Sequence, residues 1–95
     1  MSMQSFGLID MQLRLDPDAH ILYVVVGHSG NMAMETRDLD ERRAVDYDLA
    51  GDIVGIEFRD IDEGIDLDGV PHASRLARAL QIMGAVQYEW SEGGK

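Results

Sequence analysis

The chain contains no cysteine among its 95 residues. Without thiols it can form no disulfide framework, thiolate zinc site or cysteine nucleophile. It also lacks a long apolar run, because the longest, residues 21–26, is far shorter than the roughly 20 residues that cross a bilayer. Since no basic segment leads into an apolar one at the N-terminus, we expect a cytoplasmic protein.

Positive charge is scarce. Eight Lys and Arg residues stand against 18 Asp and Glu, which gives a formal net charge of -10. Such an acidic surface repels phosphate backbones and anionic lipids, so neither nucleic acid nor membrane is expected as a partner. The apolar fraction of 45% is that of a globular protein, and the length allows one domain over residues 1–95, with an ordered core of about residues 8–90.

The first half of the chain reads as β-structure. Apolar and polar residues alternate over residues 8–15, which predicts a strand with one buried face. A turn around Asp16 and Pro17 leads into residues 21–26, which are apolar on both faces like a central strand. Residues 32–36 are compatible with a short edge strand.

The second half predicts another hairpin and a helix. Residues 44–48 and 52–59 read as strands joined at Gly51, with Val54, Ile56 and Phe58 on the core side. Residues 60–68 are acidic and predict a loop, and a helix is expected from Pro71 to Met83. A last strand is indicated over residues 86–90. The predicted fold is α+β: an antiparallel meander of four to five strands with one helix on one face and a possible short C-terminal strand.

Two segments resemble a family of short prokaryotic domains of unknown function. In the first, residues 15–23, an Asp-x-Leu-Tyr pattern follows a strand that ends in Asp, although His20 stands where the family has Asp. In the second, residues 45–58, Val-Asp-Tyr-Asp is followed by a turn glycine and Val-Gly-Ile-Glu. The resemblance implies a small β-rich fold with a following helix, and it implies no activity. The matching residues, called the motif residues below, are Asp16, Asp18, Tyr23, Asp46, Asp48, Gly51, Gly55 and Glu57.

The second motif has another interpretation, as a calcium loop. Counting from Asp46 places Asp48 third, Gly51 sixth and Glu57 twelfth, which is the EF-hand spacing. The fifth position, Ala50, offers no ligand. An EF-hand also requires flanking helices, whereas the residues after Gly51 alternate as a strand. The alternation favours a hairpin, in which we expect Asp46 and Glu57 to lie opposite each other.

The carboxylates leave weak divalent-metal binding open. Oxygen ligands suit hard cations, and the acids cluster in the second motif and the segment after it. No other cofactor is expected, and no catalytic arrangement is evident in the sequence. The candidate ligands are Asp46, Asp48, Glu57, Asp60 and Asp62.

Two functions therefore compete. The first is a non-catalytic module that self-associates or binds another protein, because one helix can cover only one face of the predicted sheet. We expect a homodimer formed through the uncovered face or the C-terminal strand, and a basic protein is the other partner that the acidic charge suggests. The second is a divalent-metal-binding protein or a small metal-dependent enzyme that uses the candidate carboxylates.

Overall fold

The computed structural model describes residues 4–8, 11–27, 32–82 and 90–91. It consists of two compact units, Met1–Asp60 and Ile61–Lys95. Within the described ranges no helix is long and apolar enough to span a membrane. The expectation of one domain over the whole chain stays a prediction.

A six-stranded antiparallel sheet forms the first unit, with the spatial order β1-β2-β3-β6-β5-β4. It consists of two three-stranded meanders that meet where β3 pairs with β6, so the α+β class with an antiparallel meander is confirmed. The first strand was not predicted, because its Gln, Ser and Gly residues interrupt any alternation. The strands are β1 (Gln4–Leu8), β2 (Met11–Asp16), β3 (Ile21–Val26), β4 (Glu35–Asp38), β5 (Arg43–Tyr47) and β6 (Ile53–Phe58).

One face of this sheet carries buried apolar side chains. Successive residues of a strand point to opposite faces, so every second position belongs to the core. Ile56 and Phe58 are buried as predicted, whereas Val54, which lies where the pairing with β5 shifts register, is only half-buried. Their buried neighbours on the same face are Met11, Leu13, Leu15, Leu22, Val24 and Val45.

The opposite face is called the Tyr23 face here. Cross-strand pairing aligns Arg14 of β2, Tyr23 of β3 and Glu57 of β6 on it. Its two large apolar members are half-buried rather than exposed, so this face is less bare than the sequence suggested. These residues are Ile21 and Val25.

The segment read as a calcium loop is a β-hairpin. Strands β5 and β6 pair antiparallel around a turn, which confirms the hairpin interpretation. The register differs from the expected one, in which Asp46 and Glu57 were opposite each other. Asp46 lies opposite Gly55, and Glu57 lies opposite Ala44. The turn takes up residues 48–52, and the register shifts after Asp46. As a result, each β5 residue up to Asp46 pairs with a β6 residue two positions earlier than expected.

The edge strand lies slightly later than predicted. Strand β4 occupies Glu35–Asp38 instead of residues 32–36 and ends the sheet. The link from β4 to β5 is organised by Asp40, whose carboxylate accepts hydrogen bonds from the Arg42 backbone N–H and the Arg43 guanidinium, each at 2.8 Å. The charged residues from Asp40 to Arg43 thus form a structured connection between β4 and β5.

The second unit begins with a segment that was predicted to be a loop. It contains a 3-10 turn (Ile61–Glu63) and β7 (Ile65–Asp66). Ile61, Ile65 and Leu67 are buried, while the acids between them are exposed. The loop prediction was wrong because it weighed the acids and overlooked the apolar residues that alternate with them.

The helix α1 runs over Ala73–Ile82 and begins two residues after the predicted Pro71. His72 has a φ of 61°, a left-handed conformation that a helix cannot include, so regular turns start after it. Among helix residues 73–81, whose burial is described, Leu76, Ala77, Ala79 and Leu80 are buried. Trp90–Ser91 forms β8, which pairs in parallel with β7, whereas Met83 and residues 86–89 lie outside the described ranges.

Candidate functional site

A tyrosine on the Tyr23 face reaches across a neighbouring strand. The phenol O–H of Tyr23 on β3 donates to Asp46 Oδ2 on β5 at 2.6 Å. Strand β6 lies between β3 and β5, so the ring must pass over it. Gly55 provides the space, since a Cβ there would overlap the Tyr23 hydroxyl and lie 2.5 Å from its Cζ. A glycine inside a strand marks such a close approach.

The other carboxylate oxygen of Asp46 is also occupied. The hydroxyl of Thr36 on the edge strand β4 donates to Asp46 Oδ1 at 2.6 Å. Two hydroxyl groups therefore hold one carboxylate, and hydrogen bonds to an ionised acceptor are stronger than neutral ones. The chain of groups from Tyr23 through Asp46 to Thr36, called the Tyr23–Asp46–Thr36 bridge below, links strands β3, β5 and β4.

The bridge fixes the protonation of the tyrosine. Burial raises the pKa of Tyr23 well above its ordinary 10.0, and the hydrogen bond to Asp46 and the charges of Asp46 and Glu57 raise it further. A phenol is already neutral near pH 7 at its ordinary pKa, so the bridge extends the neutral form of Tyr23 to higher pH. A neutral phenol that already donates its proton to a carboxylate is poorly placed to act as a base or nucleophile.

A second polar bridge on the same face is built around Arg59. Its guanidinium lies 3.3 Å from Asp38 Oδ1 and 3.4 Å from Glu57 Oε2. Ala44 lies between those two residues in the strand register, so the guanidinium spans it. This position explains why Ala44 is 1% exposed on a largely polar face. Glu57 thus has a structural partner.

Asp48 and Gly51 shape the turn between β5 and β6. Asp48 Oδ1 accepts the backbone N–H of Asp52 at 2.9 Å, and the Asp48 carbonyl accepts that of Gly51 at 3.0 Å. Gly51 has a φ of 90°, which a residue with a Cβ adopts only under strain. Both motif residues therefore define the hairpin.

The first motif is likewise a turn. Asp16 Oδ1 accepts the backbone N–H of Ala19 at 3.2 Å, while Asp18 is exposed beside it. His20 has a φ of 58°. Asp, Asn and His are the non-glycine residues most enriched in this left-handed region. This conformation explains how His can replace the Asp of the family pattern at this position.

An open groove lies at the end of the sheet that carries β4. It has a volume of about 470 Å³ and is lined by Met32, Met34, Asp48, Leu49 and Ala50. Its three large apolar side chains are strongly exposed, at 76%, 60% and 87% for Met32, Met34 and Leu49. Methionine side chains are flexible and adapt to differently shaped partners.

The predicted metal ligands are dispersed over several elements. Asp46 belongs to the bridge, Asp48 to the hairpin turn and Glu57 to the Arg59 pairs, while Asp60 ends the first unit and Asp62 lies in the second. Among the residues whose placement is described, no three His, Cys, Asp or Glu side chains form a group that could hold a metal ion. Metal binding by these carboxylates stays a prediction.

Sequence reasoning missed two members of these networks. Thr36 and Arg59 match no motif, since their roles depend on which strands become neighbours. Gly55 carried a usable signal, because an isolated glycine in a strand pattern indicates a bulge or a close contact. That signal would have pointed to a large side chain crossing β6 at this position.

The part of the chain that contains these turns and bridges is also the part that matches a known protein family. A family model described as a protein of unknown function, DUF2283, matches residues 12–61, which is more than half of the chain. That range contains all eight motif residues. The chain has no match among curated proteins or among solved structures. The chain therefore belongs to the DUF2283 family, whose function is unknown.

Proposed function

We propose that this protein is a non-catalytic module that self-associates and acts through protein contacts. The observation that carries the proposal is the position of its exposed apolar side chains. Met32 and Met34 precede β4, Leu39 follows it, and Leu49 lies across the groove from the methionines. Exposed apolar residues that gather on one surface, instead of being scattered, mark interaction sites.

The chemistry of the Tyr23 face supports a structural rather than a catalytic role for the motif. Both oxygens of Asp46 accept hydrogen bonds from hydroxyl groups, and Tyr23 is held in its neutral form. Catalytic acids and bases need access to a substrate and a pKa close to the working pH. The motif thus supports a rigid scaffold that presents its edge strand to a partner.

A second copy of the chain is the partner that this surface fits best. In the described part of the chain strand β4 ends the sheet, so no strand described there lies beside its outer backbone groups. Such an edge is a template for pairing with another strand. The charges along it have alternating signs, which suits a copy of itself better than a uniformly basic protein. Binding to a basic protein is the competing outcome.

Sedimentation equilibrium tests self-association. At about 0.15 M salt the Debye length is about 8 Å, so the long-range repulsion between two acidic chains is largely screened. We expect the molar mass to rise from monomer to dimer between micromolar and millimolar concentration. The double variant Met34→Ser/Leu49→Ser should shift that transition to higher concentration, because it removes exposed apolar surface without disturbing the core.

Gln81→Ala, an exposed change in the second unit, is the matched control and should associate like the wild type. A wild-type chain that stays monomeric throughout would exclude self-association. If it then bound a purified basic protein, and Met34→Ser/Leu49→Ser abolished that binding, the basic partner would be the correct one.

Divalent-metal binding is the alternative function, and it has less support. A cation at Asp46 would have to compete with the hydrogen bonds from Tyr23 and Thr36. A ligand that binds only the folded state raises the melting temperature, so a thermal-shift series with calcium, magnesium, manganese and zinc separates the two functions.

A further inference from the structure

We infer that two copies of the chain join edge to edge along β4, in a single register centred on Thr36. The inference deepens the proposed self-association and rests on it. It derives from the outward-facing backbone groups of β4 and from the order of charges along this strand.

The backbone of β4 determines which residues can pair with a second copy. The N–H of Leu39 donates to the carbonyl of Arg43 at 2.8 Å, so the backbone of Leu39 faces β5. Hydrogen-bonding direction alternates along a strand. Arg37 therefore faces β5, whereas the backbone groups of Thr36 and Asp38 face outward. The alternation starts after Met34, whose N–H also donates to β5, to the Tyr47 carbonyl at 2.8 Å.

With two outward-facing residues, an antiparallel copy has three possible registers. Pairing Thr36 with Asp38 of the other copy would place the two Arg37 side chains opposite each other. Pairing Asp38 with its own counterpart would oppose two carboxylates. Like charges directly opposite each other in a sheet are destabilising. Both of these registers are therefore disfavoured.

The remaining register pairs Thr36 with Thr36 of the second copy. Glu35 of each copy then lies opposite Arg37 of the other, so two pairs of opposite charge form at once. These side chains can reach a second copy, since those of Arg37 and Glu35 are 63% and 55% exposed. Within one strand they form an ion pair at 2.8 Å, which the cross-strand pairs would replace. They also occupy the non-hydrogen-bonded positions, where side chains across two strands approach most closely.

Charged residues on an edge strand ordinarily discourage pairing with other chains. In β4 the charges alternate in sign, so they repel most strands and attract only a strand whose charges have the inverse order. An antiparallel copy of the same strand has that order. The Tyr23–Asp46–Thr36 bridge holds the edge in place, as the Thr36 hydroxyl binds Asp46 while its outer backbone groups remain unused by β5.

The first test is a charge-complementation experiment. The variant Glu35→Arg has two positive charges at positions 35 and 37, and Arg37→Glu has two negative charges at these positions, while Asp38 is unchanged in both. Each variant alone should dimerise more weakly than the wild type, with an affinity lower by about tenfold or more, because two attractive cross-strand pairs become repulsive. An equimolar mixture should form a heterodimer with wild-type affinity, since both cross-strand pairs are restored between the two variants. Loss of the pair within one strand cannot explain such a recovery.

The second test uses the absence of cysteine from the chain. In the proposed register the two Thr36 Cα atoms are about 5.5 Å apart, which is within disulfide range. Thr36→Cys should therefore form a covalent dimer under mild oxidation. Asp38→Cys is the control, because its two copies would be four residues out of register, or about 14 Å apart.

The outcomes separate the two proposals. A wild-type chain that is monomeric up to millimolar concentration overturns both self-association and the register. A dimer that forms without complementation in the mixture, or without cross-linking at Thr36→Cys, keeps self-association and overturns the register. A heterodimer together with selective cross-linking at Thr36→Cys supports the register.

Discussion

The substitution Gly55→Ala tests the arrangement on which the Tyr23–Asp46–Thr36 bridge depends. Gly55 has no left-handed backbone conformation that would require glycine. Considered as a backbone change alone, alanine would stabilise the strand by about 0.4–1 kcal/mol, because the unfolded chain loses freedom. The Tyr23–Asp46–Thr36 bridge predicts instead that Gly55→Ala destabilises the protein.

The expected cost follows from the position of the tyrosine ring. A Cβ at Gly55 would overlap the Tyr23 hydroxyl and lie 2.5 Å from Cζ, so the ring must move away from Asp46. Overpacking costs about 1–3 kcal/mol, and a hydrogen bond to a charged group contributes about 1.5–3 kcal/mol. After the backbone gain is subtracted, Gly55→Ala should reduce the free energy of unfolding by about 1.5–5.5 kcal/mol. The melting temperature should fall by about 6–40 °C, at about 4–8 °C per kcal/mol for a domain of this size.

A double-mutant cycle assigns this cost to the tyrosine. Urea unfolding followed by far-UV circular dichroism would be measured for the wild type, Gly55→Ala, Tyr23→Ala and the double variant. In the Tyr23→Ala background the clash is absent, so adding Gly55→Ala should cost nothing or stabilise the sheet. The coupling between the two positions should equal the clash and the lost hydrogen bond together, about 2.5–6 kcal/mol.

Gly51→Ala is the matched control. Its cost comes from a φ of 90° in the hairpin turn, not from a neighbouring ring, so it should be additive with Tyr23→Ala. If Gly55→Ala has wild-type stability, or if it is equally damaging with and without Tyr23, then the ring does not lie over Gly55 and the account of the bridge is wrong.

Three further outcomes are expected. The raised pKa of Tyr23 means that the folded state holds the phenol proton more tightly than the unfolded chain; its contribution is complete below the ordinary pKa of 10.0 and is lost as the pH rises above it. Urea midpoints measured up to pH 12 should therefore fall more steeply for the wild type than for Tyr23→Phe, and parallel curves would argue against the bridge. Asp48→Ala should cost about 1–3 kcal/mol because the Asp52 N–H loses its acceptor, and Asp48→Asn, which keeps an acceptor oxygen, should cost less in the same urea assay. Millimolar calcium, magnesium, manganese or zinc should leave the melting temperature unchanged within about 1 °C; a larger rise that Asp46→Asn removes would favour the metal-binding alternative.

Much of the sheet could be predicted because its signals are local. Alternation in residues 11–16 and 53–58 gave the strands, and the conformational freedom of Gly51 located the turn between β5 and β6. Local signals failed in residues 61–67, where apolar residues that favour burial alternate with acids that favour an exposed loop. Ile61, Ile65 and Leu67 are buried between acids that dominate the composition, and they were therefore assigned to a loop.

The candidate surface depended on information that single segments do not contain. The sequence indicated an uncovered sheet face as the contact surface, yet the apolar residues of the Tyr23 face are half-buried, while Met32, Met34 and Leu49 are exposed beside β4. Leu49 is far along the chain from the two methionines. Only the order of strands shows that they share one groove.

By itself the sequence determined the acidic charge, the antiparallel strands, the two turns and the family, because each of these follows from composition or from residues close together in the chain. The tertiary structure decided what the motif residues do. Tyr23 and Asp46 are 23 residues apart, and their hydrogen bond exists because β6 inserts between their strands with a glycine at the crossing point. A contact of this kind depends on strand order and register, which arise from packing of the whole sheet.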